Sequence, residues 1–339
     1  MQFRYYLQPG FRNLREIDLI EAAKVVVDQC LKVQPGENVA IVTDTMQSWR
    51  LVESVAMAVN LAKAEYTLLC TKPRKSMYGP KEITEPPAPV AGALKKADAA
   101  FLVGTTGLVF TTAVQEALDN GTRLLSSPGM SEDNFVRCVM IDHEELWETT
   151  KRVQSFFTNG RHCKLTSPQG TDLKFEIAFH PLGDRSGIPK PGTFDFLPAG
   201  IASAGFKKGT ANGTIVIDGS FSRIGVLREP LVLTVQNGTI VKSEGGFEVR
   251  EFRNMMDMFG DPNMYNPGII TTGTNPNAKF TGVPNEDERV IGMCSIMIGD
   301  NAKTQGGDNP AVMYLVAMLT TPRLVIDGQI IVENGMLKV

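Results

Sequence analysis

At 339 residues the chain exceeds one ordinary domain and fits two of moderate size. A hydrophobic fraction of 42% supplies real cores, while a net charge of -3 without a polybasic run excludes an electrostatic footprint for nucleic acid or an anionic membrane. Apolar runs such as 311–319 and 99–103 are too short to cross a bilayer, and residues 1–6 lack an apolar signal region, so a soluble cytoplasmic protein is the expectation.

The first half alternates helical and extended patterns. Residues 18–33 set Ile20, Ala23, Val27 and Cys30 on one helical face, and Pro35-Gly36 stops the helix. Val39-Ala40-Ile41-Val42 predicts a buried strand. Helical period returns over 47–64, with Trp49, Val52, Ala56 and Val59 in line. Strands follow at 66–71 and 99–104, a helix at 111–119 closed by Asn120-Gly121, and a strand at Arg123-Leu124-Leu125. His143 precedes a helix over 144–157 and reads as a surface residue of its cap. Strands alternating with helices predict an α/β domain with a mostly parallel sheet over residues 1–157.

Beyond that point turn pairs multiply, among them Asn159-Gly160, Asn212-Gly213, Asn237-Gly238 and Asp327-Gly328. Short β-branched runs at 214–217 and 231–235 lie between them, the grammar of antiparallel hairpins. This predicts an α+β domain over 158–339 that carries most of the cleft, with long loops at 180–196 and 259–267. Cysteines at 30, 70, 138, 163 and 294 are scattered and read as reduced thiols without metal or redox spacing.

Several ordered segments resemble one known family. They include 30–37 (Cys-Leu-Lys-Val-Gln-Pro-Gly-Glu), Leu94-Lys95-Lys96-Ala97-Asp98, Leu197-Pro198-Ala199-Gly200, Gly273-Thr274-Asn275-Pro276, Gly292-Met293-Cys294-Ser295 and Gly299-Asp300-Asn301. Their order and spacing are similar to the aminopeptidase T-type family that includes 2,5-dihydroxypyridine 5,6-dioxygenase. The resemblance implies the two-part fold, a homodimer and a metal centre. It also implies ligands where this chain has Ile201, Ser295, Tyr314 and Val316, and in the segment containing Ile269; no histidine follows His180. Non-haem iron calls for about two imidazoles and a carboxylate, so no metal ligand and no cofactor is assigned.

Candidate chemistry rests on what remains. Ser295 and Tyr314 occupy positions the resemblance gives to ligands; each reads either as a catalytic hydroxyl or as a polar wall residue. Cys294 faces the opposite side of the same strand. His180, at a strand end, reads as a general base or as a loop cap. Asp184 and Arg185 ride the following loop, where Arg185 offers a two-pronged carboxylate contact or simply a solvated charge. Thr105 and Thr106 follow a strand where open α/β sheets bind ligands, and Asn301 is a further substrate-binding candidate. The leading expectation is a metal-independent hydrolase that opens an amide-like C–N bond in a small polar or N-heterocyclic compound. The alternatives are a dioxygenase- or aminopeptidase-like enzyme with a relocated metal site, and a non-catalytic binding subunit.

Overall fold

The computed structural model describes residues 16–74, 85–180, 186–302 and 306–339. Two sheets organise them. Helices are α1 (Glu16–Lys24, continued by a π-helical turn Val25–Cys30), α2 (Trp49–Leu61), α3 (Ala88–Lys96), α4 (Thr112–Asp119), α5 (Glu132–Val139), α6 (His143–Asn159), α7 (Phe247–Phe259) and the single turn α8 (Pro284–Asp287). Strands of the first half are β1 (Asn38–Asp44), β2 (Glu65–Thr71), β3 (Ala99–Leu102) and β4 (Arg123–Ser126). Those of the second are β5 (His162–Thr166), β6 (Asp172–Phe179), β7 (Phe194–Phe196), β8 (Ile201–Phe206), β9 (Asn212–Ile217), β10 (Ser220–Phe221), β11 (Gly225–Val226), β12 (Leu231–Gln236) and β13 (Thr239–Glu244). The series closes with β14 (Pro267–Gly273), β15 (Cys294–Gly299), β16 (Tyr314–Leu319), β17 (Arg323–Ile326), β18 (Gln329–Glu333) and β19 (Met336–Leu337). Among the described residues no helix is long and apolar enough to cross a membrane.

The first sheet is parallel, in the order β2-β1-β3-β4-β7. Its central strands are apolar on both faces because helices cover both. Phe101 points into a core with Leu19, Leu51 and Phe135, while Leu102 points into another with Leu94, Val114 and Leu118. Its last strand, β7, arrives from the second half of the chain. The loop expected over 180–196 therefore ends in a strand; residues 181–185, with Asp184 and Arg185, lie outside the described residues. The helices α3 and α5 were not among the predicted elements. Both are short, and Pro87 and Ser131 serve as their caps. Trp49, expected on the buried face of α2, is exposed at the first helical position.

The second sheet joins 14 strands, with β16-β15-β14-β8-β6-β5-β17 as its central run, all antiparallel. One face is packed by α6 and α7 through Phe157, Phe252 and Met256. Helix α6 spans the two halves: Leu146 belongs to a core of the first and Val153 and Phe157 to that of the second. Its first residue, His143, is fully buried rather than on the surface. Its Nε2 lies 3.2 Å from the Val139 carbonyl and its ring faces the backbone of Ser186 and Gly187. Burial pushes its pKa below the usual imidazole value, against the opposing effect of those hydrogen bonds.

The Gly-Thr-Asn-Pro segment has a structural task. Asn275 is buried; its Nδ2 donates to the Cys138 and Ala199 carbonyls, both at 3.1 Å, and its Oδ1 accepts from the backbone of Asn277 and Ala278. A single side chain thus fastens α5, the start of β8 and the end of β14 together.

Candidate active site

Strand alternation builds one wall of a cavity. Residues Ile270, Ile296, Leu315 and Ala317 enter the core beneath the second sheet. Their neighbours point the other way. The register pairs Thr271 with Ser203 and Ser295, and Met297 with Ile269 and Val316, so these side chains share a face. The cavity, about 340 Å³, is lined on this side by Ile201, Ser203, Ile269, Thr271, Met297, Tyr314 and Val316. The opposite wall comes from carboxyl ends of the parallel strands: Thr105, Thr106, Phe110, Pro128 and Phe196. Open α/β sheets bind ligands at this edge. Asp44, at the end of β1, holds that edge. Its Oδ2 accepts from the Thr105 amide at 2.6 Å and the Thr105 hydroxyl at 2.8 Å. Gly104 is required here, because a Cβ would stand 2.8 Å from the same oxygen.

The third contribution is Asn285-Glu286-Asp287-Glu288-Arg289, a run the sequence reading did not single out. Consecutive charges read as a solvated turn, yet all four charged residues are buried. Each has a separate partner. Glu286 accepts from Arg137 on α5 at 2.5 Å and from the Lys279 amide at 2.8 Å; burial raises its pKa, but these donors outweigh it and hold it below the usual carboxylate value. Asp287 accepts from the Thr281 amide and the Ser220 hydroxyl, both at 2.7 Å, and burial outweighs these donors to raise its pKa. Glu288 lines the cavity, accepting from Ser295 Oγ at 3.1 Å and pairing with Arg289 Nη1 at 3.2 Å. Arg289 Nε donates to the Pro198 carbonyl at 3.1 Å.

The structure therefore brings Ser295, Tyr314, Thr105 and Thr106 to the cavity or directly behind its wall. Tyr314, Thr105 and Thr106 line it. Ser295 lies fully buried, its hydroxyl shared between Glu288 and Thr271 Oγ1, the latter at 2.6 Å. Two candidates lie elsewhere. His180 is exposed at the end of β6 and is not among the lining residues. Asn301 is a buried loop pin, its Oδ1 accepting from the Asn309 amide at 2.8 Å, and it faces a separate depression with Asn266 and Asp308. Cys294 points into the core, where burial pushes its thiol up to about 12.

A cavity at the strand ends of a parallel sheet, closed by a face of a large antiparallel sheet, defines a protein of two-part α/β architecture with a small-molecule site. Residues 18–339 match the family model described as 2,5-dihydroxypyridine 5,6-dioxygenase (NicX), and the chain belongs to that family. A curated 2,5-dihydroxypyridine 5,6-dioxygenase from Pseudomonas putida strain KT2440 is 28% identical over 206 residues, 60% of this chain and 57% of the relative. The match thus spans little more than half the relative's length. The solved structure of 2,5-dihydroxypyridine dioxygenase from the same organism shares the fold at TM-score 0.78 and 20% identity, covering 96% of this chain and 98% of that one. Wild-type AmpT from Thermus thermophilus shares it at TM-score 0.70 and 14% identity, covering 96% and 100%.

The family overturns the expectation of a metal-independent hydrolase. The geometry agrees: Ser295 has Glu288 and Thr271 as partners and no imidazole base, and Cys294 is turned away into the core. The resemblance implies non-haem iron, and the side chains can be tested against it. At the positions expected to carry ligands stand Ile201, Ile269, Ser295, Tyr314 and Val316. The one carboxylate among the described residues that lines the cavity, Glu288, is held by Arg289 and Ser295. Among the described residues no three His, Cys, Asp or Glu side chains cluster as a metal site would need. These residues do not fit that centre.

Proposed function

We propose that the chain is a ring-cleaving dioxygenase that takes a small hydroxylated N-heteroaromatic ring into the cavity between its two sheets. Both atoms of O2 enter the product as one ring bond opens. The observation that carries the reading is the extent of the family match: residues 18–339 include every described residue that lines the cavity. The cavity suits a flat ring. Phe110, Phe196 and Pro128 form one apolar wall and Ile201, Ile269 and Val316 the other, with Ser203, Thr271 and Tyr314 as hydrogen-bonding groups between them. In this reading Thr271 and Tyr314 orient ring substituents, Ser295 fixes the Glu288 carboxylate, and the apolar walls keep water from the opened ring.

The test is oxygen uptake by purified protein on a panel of mono- and dihydroxypyridines, 2,5-dihydroxypyridine among them. Loss of ring absorbance is followed in parallel, in one arm with added Fe(II) and in another with a chelator. One O2 consumed per ring lost is the expected result, with turnover slowed by Tyr314→Phe. No uptake on any ring in either arm would overturn the reading. A homodimer, which the resemblance implies, belongs to the same proposal. Light scattering checks it against the chain mass of 37.0 kDa.

A further inference from the structure

We propose that Arg289 is the substrate-recognition residue of this cavity and that its ligand is an anionic ring, a carboxylate or an ionised ring hydroxyl. This inference rests on the cavity being the substrate site, not on the reaction that follows.

A guanidinium carries five N–H donors in a fixed fork. At Arg289, Nε is spent on the Pro198 carbonyl at 3.1 Å and Nη1 faces Glu288 at 3.2 Å. Nη2 donates to no protein group among the described residues, and it is not sealed from solvent as the buried, unpartnered polar atoms are. The side chain is only 6% exposed, yet it lines the cavity, so the open end of the fork faces that space. Two bonds hold the plane still before any ligand arrives. A positive group fixed in this way among Ile201, Ile269 and Val316 makes an anion-specific contact, because a charge-assisted pair gains most where water is excluded.

The charge balance points the same way. Among the described residues the charged side chains lining the cavity are Glu288, Arg289 and Arg223, and Arg223 sits exposed at the rim of the β10–β11 turn. Across these described residues the lining does not present a net negative face that would repel an anionic ligand. A neutral ring of the same shape would leave Nη2 without an acceptor, and buried donors left unmet weaken binding. Glu288 has a defined part. It holds Nη1 and lowers the cost of keeping the guanidinium in an apolar cavity, without consuming the edge that meets ligand.

The experiment is equilibrium binding by calorimetry under anaerobic conditions, so that no turnover intervenes. The probes are a hydroxypyridine carboxylate and its carboxamide isostere. The carboxylate is expected to bind on the order of tenfold to a hundredfold more tightly. Arg289→Gln should erase that preference while leaving the carboxamide within about threefold of its wild-type affinity. Arg289→Lys guards against a variant that fails to fold. It keeps a positive charge opposite Glu288 but loses the fork, and should reduce the preference to a few-fold. Equal affinity of the two probes for the wild type, or a full preference surviving in either folded variant, would overturn the proposal. A protein that prefers the anion but takes up no oxygen keeps this inference and loses the dioxygenase reading.

Discussion

The two faces of the β14–β15–β16 ladder are one residue apart and do different work. Ile270, Ile296 and Ala317 meet the helices of the second half; Ile269, Thr271, Met297 and Val316 meet the cavity. The backbone hydrogen bonds are common to both. What separates structure from chemistry here is the pleat alone, so a change on one face should register as stability and on the other as ligand recognition.

The largest effect is expected where the turn that supplies Glu288 is tied to the first half. Arg137→Met leaves the Glu286 carboxylate buried without its cation and should cost about 3–5 kcal/mol in chemical denaturation. A loss below about 1 kcal/mol would show that the two halves do not depend on this strap. Next, Ile270→Ala opens a hole on the core face and should cost about 3 kcal/mol while leaving the affinity of the folded protein for a cavity ligand within a few-fold. Thr271→Val, its immediate neighbour, should reverse the pattern. It should cost about 1 kcal/mol of stability, because Ser295 keeps Glu288 as partner, and lower ligand affinity about tenfold. If Ile270→Ala and Thr271→Val change binding equally, the division between faces fails. The smallest effect concerns His143. Its native pKa lies below the ordinary 6.5, so the unfolded chain takes up the proton first as pH falls. The stability this provides is complete above pH 6.5 and is lost as pH falls toward the lowered native value. Thermal melts should therefore show a gap between wild type and His143→Gln that narrows from pH 7 to pH 5; an unchanged gap would contradict it.

Much of the fold was legible because periodicity reports burial. The runs at 39–42 and 99–102 are apolar throughout and became strands covered on both sides; Asn237-Gly238 and Asp327-Gly328 fell between hairpin strands, whereas Asn159-Gly160 ends α6 and Asn212-Gly213 opens β9. Strand alternation also separated Cys294 from Ser295 correctly. The return of β7 was not legible, since Phe194-Asp195-Phe196 is three residues long and its partner lies about 70 residues earlier. The buried run 286–289 was hidden for a different reason. Four adjacent charges look solvated unless their partners are known, and those partners, Arg137, Ser220 and Ser295, are scattered along the chain. His180 follows the last residue of β6 and is exposed, so a strand-end position alone did not say whether it lines the cavity.

The path of β7 has a consequence for how the polypeptide is made. The chain leaves the parallel sheet after β4, lays β5 and β6 into the other sheet, and returns to set β7 beside β4 before departing again into β8. A nascent chain that has emerged only as far as residue 157 would hold four parallel strands with β4 as an open edge, a surface that pairs readily with other strands. The ribosome must release some 40 residues more before that edge is closed, and by then part of the second sheet is already present. The two halves are therefore expected to mature together rather than in succession. A fragment ending near 157 should be prone to aggregate, whereas one extended through β8 should gain solubility.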